Sequence, residues 1–454
     1  PQDDGDGRPL FSPPPDFAPG KVVSEEIFSF DAGDSPRAVT AFTLSNGARV
    51  VLCPTDFKAN SFLFTALDRG GSSLLGDEDA LSAAKAPDYL ELSGLNGFPQ
   101  AEVGKKLAGT QITIYPQITQ SYAALTGSAA SSDLETYFQL INLYFSAPYF
   151  TESAWDRLIS DARNDAGARK SSPEAVFVDE VLAYIYGPSV RFKNLTEETI
   201  GLLRADRAEK AYRDFFANPG DFTFVFTGDL SLETLRDLSA RYIGSLPAAP
   251  ASASEARAVA PSFPKGRTVL RVRKGLDAQG EVLIVAGDEK PPQVADIPVE
   301  QELVAMAENL AQVRLREALR EKTGGVYGVS VGISLWNYPA RRFLTQIFFG
   351  CDPDRTERLA AITEEELGKL RDAPPAAEEI AMLRETFVRQ RETARRENDF
   401  WHNALVRNIA GNRARDSFAA EDAVLKALTP ETLRRICGIY LNTENAVTGI
   451  LTPE

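Results

Sequence analysis

One succession of strands, turns and helices is written twice along this chain, and that repeat constrains the fold more than any other feature. In the first copy, β-rich runs at 38–44 and 49–52 flank Ser45-Asn46-Gly47, a strong short-range hairpin signal. A strand at 61–67, helical periodicity through Leu95 and paired strands at 110–119 and 121–128 follow. Ser132-Asp133-Leu134-Glu135 reads as a capping box opening a helix to about Phe145. Helices at 152–169, 173–185 and 205–216, a strand at 222–227 and a helix at 231–243 complete the copy. After the small-residue and proline stretch 248–264 much of this order returns. Strands at 268–273 and 281–286 lead to a long helix at 299–321, strands at 326–336 and 342–349, further helices and a strand at 446–451. Leu125-Thr126-Gly127 matches Phe348-Phe349-Gly350, with the glycines 223 residues apart. Gly228 and Gly449, which close a looser match, lie 221 apart. Chance likeness of two strand-then-helix patterns is the alternative, but agreement at several levels favours duplication. The expected fold is α+β: two homologous domains, 36–250 and 264–454, each a mainly antiparallel sheet with helices packed on one face. Residues 1–35, with Pro13-Pro14-Pro15 and Asp3-Asp4-Gly5-Asp6, read as a linker or lead-in.

The 454 residues are 43% hydrophobic and 25% charged, which excludes global disorder. No apolar run approaches the roughly 18 residues of a membrane span. A net charge of −15 argues against nucleic acid or an anionic membrane as partner. Cys53, Cys351 and Cys437 are odd in number and far apart, so they form neither a disulfide framework nor a CxxC-type metal site. His402 is the single histidine. Zinc chemistry that needs two or three imidazoles cannot be built from this chain alone. The first residue is Pro1 rather than Met, so the chain is expected to be processed, trimmed or a piece of a longer one.

Several of these segments, in this order, resemble the pitrilysin/insulinase family of inverted-motif zinc peptidases. Leu44-Ser45-Asn46-Gly47 followed by Val50-Val51-Leu52 is similar to that family's opening hairpin. Tyr212 to Asp229, with Asn218-Pro219-Gly220 and Thr227-Gly228-Asp229, is similar to its "YYxPNN…VGD" segment. Leu319-Arg320-Glu321-Lys322 through Gly325-Val326-Tyr327 is similar to its "LRE…GxxY" segment. Asn398-Asp399-Phe400-Trp401 resembles a stretch of the bacterial periplasmic zinc-protease branch. The resemblance covers about residues 36–454. Family enzymes carry H-x-x-E-H on the helix after the glycine-rich strand end. The corresponding stretch here, 81–94, has no histidine and contains Pro87. The resemblance therefore implies the zinc-free half of such an enzyme, one bowl of a peptide-enclosing chamber. It implies no cofactor in this chain, with zinc in a partner half, either a separate subunit or an upstream segment. A bacterial periplasmic location is implied, with the cytoplasm as the alternative.

Arg320 and Tyr327 form the leading candidate site. Arg320 ends a helix whose apolar positions Val299, Leu303, Met306, Leu310 and Val313 recur every three or four residues, and Gly324-Gly325 are placed to stop it. A guanidinium beside a phenol can bind a peptide carbonyl or a terminal carboxylate. The resemblance implies that the zinc-free half lends both groups to a metal site in the other half. A plainer reading stands beside it: Arg320 complements the helix dipole, and Tyr327 shares strand parity with Val329, Val331, Ile333 and Leu335 as core. Gly328-Val329-Ser330-Val331-Gly332 fits G-x-S-x-G, so an independent serine hydrolase using Ser330 is a rival reading. It conflicts with the helix–turn–strand order here, because a nucleophile elbow needs strand, turn, helix. His402 reads as structural or surface, and the arginines at 384, 389, 391, 395 and 396, interleaved with glutamates, as a solvated helix face. The expected function is that of a non-catalytic half, inactive by itself, which binds unfolded peptides and supplies Arg320 and Tyr327 to an H-x-x-E-H partner. A structural or assembly subunit without substrate chemistry is the other alternative.

Overall fold

The computed structural model describes residues 7–15, 17–30, 36–249, 255–276, 279–321, 326, 328–411, 413 and 419–454. They form two compact units, one of residues 1–163, 197–259 and 392–418, the other of 164–196, 260–391 and 419–454. The strands of the first unit are β1 (Val22–Phe30), β2 (Arg37–Leu44), β3 (Arg49–Pro54), β4 (Phe62–Arg69), the short hairpin β5 (Gly94–Leu95) and β6 (Phe98–Pro99), β7 (Thr113–Ile118), β8 (Tyr122–Ala129) and β9 (Thr223–Gly228). Seven of them make one sheet in the order β1-β2-β3-β9-β4-β8-β7, in which only β3 and β9 are parallel. The second unit holds β10 (Arg267–Arg273), β11 (Gly280–Glu289), β12 (Val329–Trp336), β13 (Arg342–Cys351) and β14 (Ala446–Thr452). Their order is β10-β14-β11-β13-β12, again with a single parallel pair, β10 with β14. Strand for strand, this repeats the run β3-β9-β4-β8-β7 in order and in sense. Both units are mainly antiparallel α+β layers, as the repeat implied.

The local signals explain much of this. Gly47 takes φ 91° in the turn between β2 and β3, a conformation that L side chains rarely adopt, and its N–H donates to Leu44 O at 2.9 Å. Helices Leu134–Ser146 and Ala205–Phe215 lie on one face of the first sheet, over a core of Phe62, Phe64, Tyr137, Phe138, Tyr212 and Phe226. Helices Ile297–Glu321, Thr356–Asp372 and Pro430–Tyr440 do the same for the second, over Leu303, Leu310, Ile347, Phe349 and Leu433.

Four features differ from the sequence reading. Each sheet carries one further helix on its opposite face. Asn398–Ala410 covers Val39, Val51, Cys53 and Val225, and Pro173–Tyr186 covers Leu283, Val285 and Val447. The physical cause is visible in the central strands: Val50-Val51-Leu52-Cys53 and Val282-Leu283-Ile284-Val285 are apolar at every position, so both faces need cover. The units are therefore not the continuous stretches 36–250 and 264–454, because each of these two helices joins the unit built mainly from the other part of the sequence. The lead-in expected over 1–35 supplies β1, and its Leu10, Phe11 and Phe17 pack against the first core. β1 is an edge strand, where Ser24, Glu25 and Glu26 suit the exposed position, so few apolar residues were needed to make it. The capping box is not formed: Asp133, not Ser132, precedes the Leu134–Ser146 helix, without a side-chain cap. Glu135 instead accepts hydrogen bonds from Tyr242 Oη at 2.7 Å and Arg241 at 3.0 Å. Among the arginines expected on a solvated face, Arg391 is buried, on the inner stripe with Ile380, Leu383 and Phe387, and is paired with Glu302 at 3.1 Å.

The sequence-matched glycines also part company. Gly228 ends β9 at φ 149°, whereas Gly449 sits inside β14, where a Cβ would meet Phe177 and Val181 at 2.7 Å. The second glycine makes room for the covering helix. Gly449→Val is expected to destabilise the second unit by about 1–3 kcal/mol through overpacking, read as a lower urea midpoint.

Candidate functional site

The stretch that corresponds to the metal-binding helix of the family begins beyond β4. Here it is two short helices, Asp77–Ala83 and Ala86–Ser93, with Pro87 in the first turn of the second, where its missing N–H costs nothing. Leu81, Ser82, Ala83, Tyr89 and Leu90 are buried. The polar groups are committed to structural partners. Arg204 N donates to Ser82 Oγ at 3.2 Å, Arg207 pairs with Glu78 at 2.9 Å and Asp79 at 3.2 Å, and Tyr144 Oη donates to Glu91 at 2.8 Å. Burial, chiefly, raises the Glu91 carboxyl above its ordinary value. The donor set holds no imidazole and no thiolate, and among the described residues no three His, Cys, Asp or Glu side chains converge. These residues do not fit zinc.

Asp68, near the end of β4, is the most perturbed carboxyl of the region. Burial pushes it up to about 7, and the charge of Asp221 adds to this. Arg69 beside it pairs with Glu255 at 3.0 Å. A single Asp at a strand end carries no sequence signal of such a shift.

Arg320 occupies the last turn of the Ile297–Glu321 helix with its side chain exposed. Tyr327 and the stop Gly324-Gly325 lie outside the described residues. Ser330 is exposed within β12, which runs unbroken through Val329–Trp336, so the strand–turn–helix elbow of a serine hydrolase is not formed there. His402 cannot act as a free base: its Nε2 is hydrogen-bonded to Thr65 Oγ1 at 2.9 Å and its Nδ1 to Thr227 Oγ1 at 3.2 Å, on neighbouring strands. Burial brings its pKa down to about 4. His402 is a buried structural residue.

Two residues that sequence reading passed over stand beside β12. Gln312 Nε2 donates to Val329 O, and Val331 N donates to Gln312 Oε1 at 2.8 Å. Ile333 N donates to Glu308 Oε2 at 2.7 Å. A four-residue spacing on one helix was the only signal available, and on a solvated helix face that spacing is commonplace.

Comparison with known proteins adds what geometry alone does not. The profile of the peptidase M16 inactive domain matches residues 203–387. The probable zinc protease PqqL of Escherichia coli is 24% identical over 422 residues, covering 92% of this chain and 44% of that protein. The crystal structure of the periplasmic protease PqqL from Escherichia coli superposes with a TM-score of 0.80 at 21% identity, over 99% of this chain and 48% of that one. A peptidase M16 inactive domain from Pseudomonas fluorescens superposes with a TM-score of 0.71 at 16% identity, over 92% of this chain and 98% of that one. The chain thus spans less than half the length of the curated relatives it matches. Two like sheets, a first-unit helix pair without a histidine and the inactive-domain match over residues 203–387 agree in direction: the chain is similar to the M16 peptidases, the pitrilysin/insulinase family.

Proposed function

We propose that this chain is the non-catalytic half of a pitrilysin-type zinc peptidase. It binds unfolded peptides and completes, with Arg320 and Tyr327, the site of a zinc-bearing H-x-x-E-H half. The observation that carries this reading is the inactive-domain match in a chain that covers less than half of each zinc-protease relative. The other part of such a relative has the length for a second half of this size. Residues 36–250 and 264–454 are proposed as two copies of one ancestral domain, which the shared strand order supports. The periplasm is the proposed location, by analogy with the protease from Escherichia coli.

The test is hydrolysis of a casein-like substrate by this chain, by the H-x-x-E-H half and by the two together. Only the combination is expected to cleave. Arg320→Ala is expected to lower the activity of the combination by about tenfold to a hundredfold, the equivalent of about 1.5–3 kcal/mol for hydrogen bonds to a charged group. Tyr327→Phe, which deletes one hydroxyl, is expected to cost less. Unchanged activity after Arg320→Ala would leave a purely structural or assembly role.

A further inference from the structure

Among the described residues β12 is the last strand in its sheet, paired with β13 on one side. The outward backbone groups at Val329, Val331 and Ile333 are met by side chains of the Ile297–Glu321 helix rather than by another strand. Gln312 offers one amide N–H and one C=O to Val329 O and Val331 N. A neighbouring strand presents the same donor–acceptor pair at each step of a ladder. Glu308 takes the next donor, Ile333 N, one turn earlier on the helix. Thus two side chains stand in for a backbone along this edge.

The exposed face beside the edge is bare. Ser330 and Ser334 are exposed, a Cβ at Gly332 would meet nothing within 4 Å, and Phe348, paired with Ser330 across the ladder, is 38% exposed. The charge along the edge has a direction. Glu308 lies at Ile333, Gln312 at Val329–Val331, and one and two turns further along the helix come Arg316 and Arg320, both exposed. Arg316 is roughly 40° and Arg320 roughly 80° around the helix from Gln312. A peptide lying antiparallel to β12 would have its amino end toward Glu308 and its carboxyl end toward the arginines. Its own charges and those of the edge are then complementary.

We propose that the outer edge of β12 is a docking strand for an extended peptide with a free carboxyl end, added antiparallel, and that Gln312 and Glu308 hold the edge closed until the peptide backbone replaces them. This rests on the peptide-binding reading above and narrows it to one strand and one direction. The occupant gains main-chain hydrogen bonds of the kind by which strand addition binds without strong sequence preference. Displacing the two side chains is a tax on affinity, because only the fraction of molecules with an open edge is competent.

The test is fluorescence anisotropy of a labelled, unstructured decapeptide with a free C-terminus, titrated with this chain alone. Gln312→Ala is expected to tighten binding about fivefold to tenfold by removing the latch. N-methylation at alternate residues of the peptide, which blocks ladder pairing and leaves the protein untouched, is expected to weaken binding more than tenfold. Amidating the peptide's C-terminus is expected to weaken it about threefold, and Arg316→Ala to erase that difference. The proposal is overturned if N-methylation has no effect, if Gln312→Ala leaves binding unchanged or weaker, or if that variant pairs with a second copy of itself in place of the peptide. Absent peptide binding alongside intact cleavage by the two combined halves would remove this site and leave the half-enzyme reading standing. Strand binding here with no cleavage by the combination would do the reverse.

Discussion

Arg341→Met is expected to destabilise the second unit by about 3–5 kcal/mol, because it strands a carboxylate in the core. Glu300 is fully buried, and Arg341 Nη2 lies 2.6 Å from its Oε2. The other oxygen, Oε1, accepts from Tyr440 Oη at 3.0 Å and from Val294 N at 3.1 Å. Arg341 Nη2 also donates to Tyr440 Oη at 2.7 Å, and Arg341 Nε to Pro291 O at 2.9 Å. Burial, above all, holds the Tyr440 phenol above its usual range, so it remains a donor to Glu300. Each member is satisfied by the others, and a network of this kind is costly to break at one point. The double variant Glu300→Leu/Arg341→Met is expected to lose less than Arg341→Met alone, since it removes the charge along with its partner. Urea unfolding of both variants reads this directly. Equal losses would show that lost packing, not a stranded charge, sets the cost.

This cluster also marks where sequence reading stops. The hairpin at Asn46-Gly47 was legible because a positive φ demands glycine, and the long helix because its apolar stripe recurs every three or four residues. The repeated strand order was legible because the same succession of apolar runs and turns is written in both parts of the sequence. Glu300 and Arg341 are 41 residues apart, and nothing in either neighbourhood announces their meeting. The same holds for the two covering helices. Periodicity shows that Pro173–Tyr186 and Asn398–Ala410 are helical but not which sheet receives them. Apolar runs without alternation in β3 and β11 were the one available clue that a second face needed cover.

The candidate site divides in the same way. Arg320 came from an ordered motif, and its place on the last helical turn follows from local periodicity. Gln312 and Glu308 did not, because a glutamine or glutamate on a helix normally reads as solvated surface. Only the placement of β12 beside that helix turns them into edge ligands. Function carried by side chains that imitate backbone has no residue-type signature.

Acidification is expected to weaken the first unit through its single histidine. His402 is neutral in the fold, with a pKa brought down to about 4 by burial, against about 6.5 in an unfolded chain. The unfolded state therefore binds the proton more readily, and stability falls as pH drops below about 6.5 toward 4. Above about 6.5 both states are neutral, and the contribution is fully present. The loss across that window is on the order of 3 kcal/mol if no relaxation intervenes. The ring bridges Thr65 on β4 and Thr227 on β9, while Trp401 beside it is fully buried and Asn398 accepts from Thr55 Oγ1 at 2.5 Å. Charging the imidazole would therefore loosen the Asn398–Ala410 helix first, exposing Trp401. His402→Gln keeps a donor and an acceptor but removes the titration. Its stability at pH 7 is expected to be about 1–2 kcal/mol lower, and flatter between pH 6.5 and 4.5 than that of the parent chain. Tryptophan fluorescence during urea unfolding at several pH values follows both. Parallel pH profiles for the two proteins would show that carboxylates elsewhere, rather than His402, set the acid sensitivity.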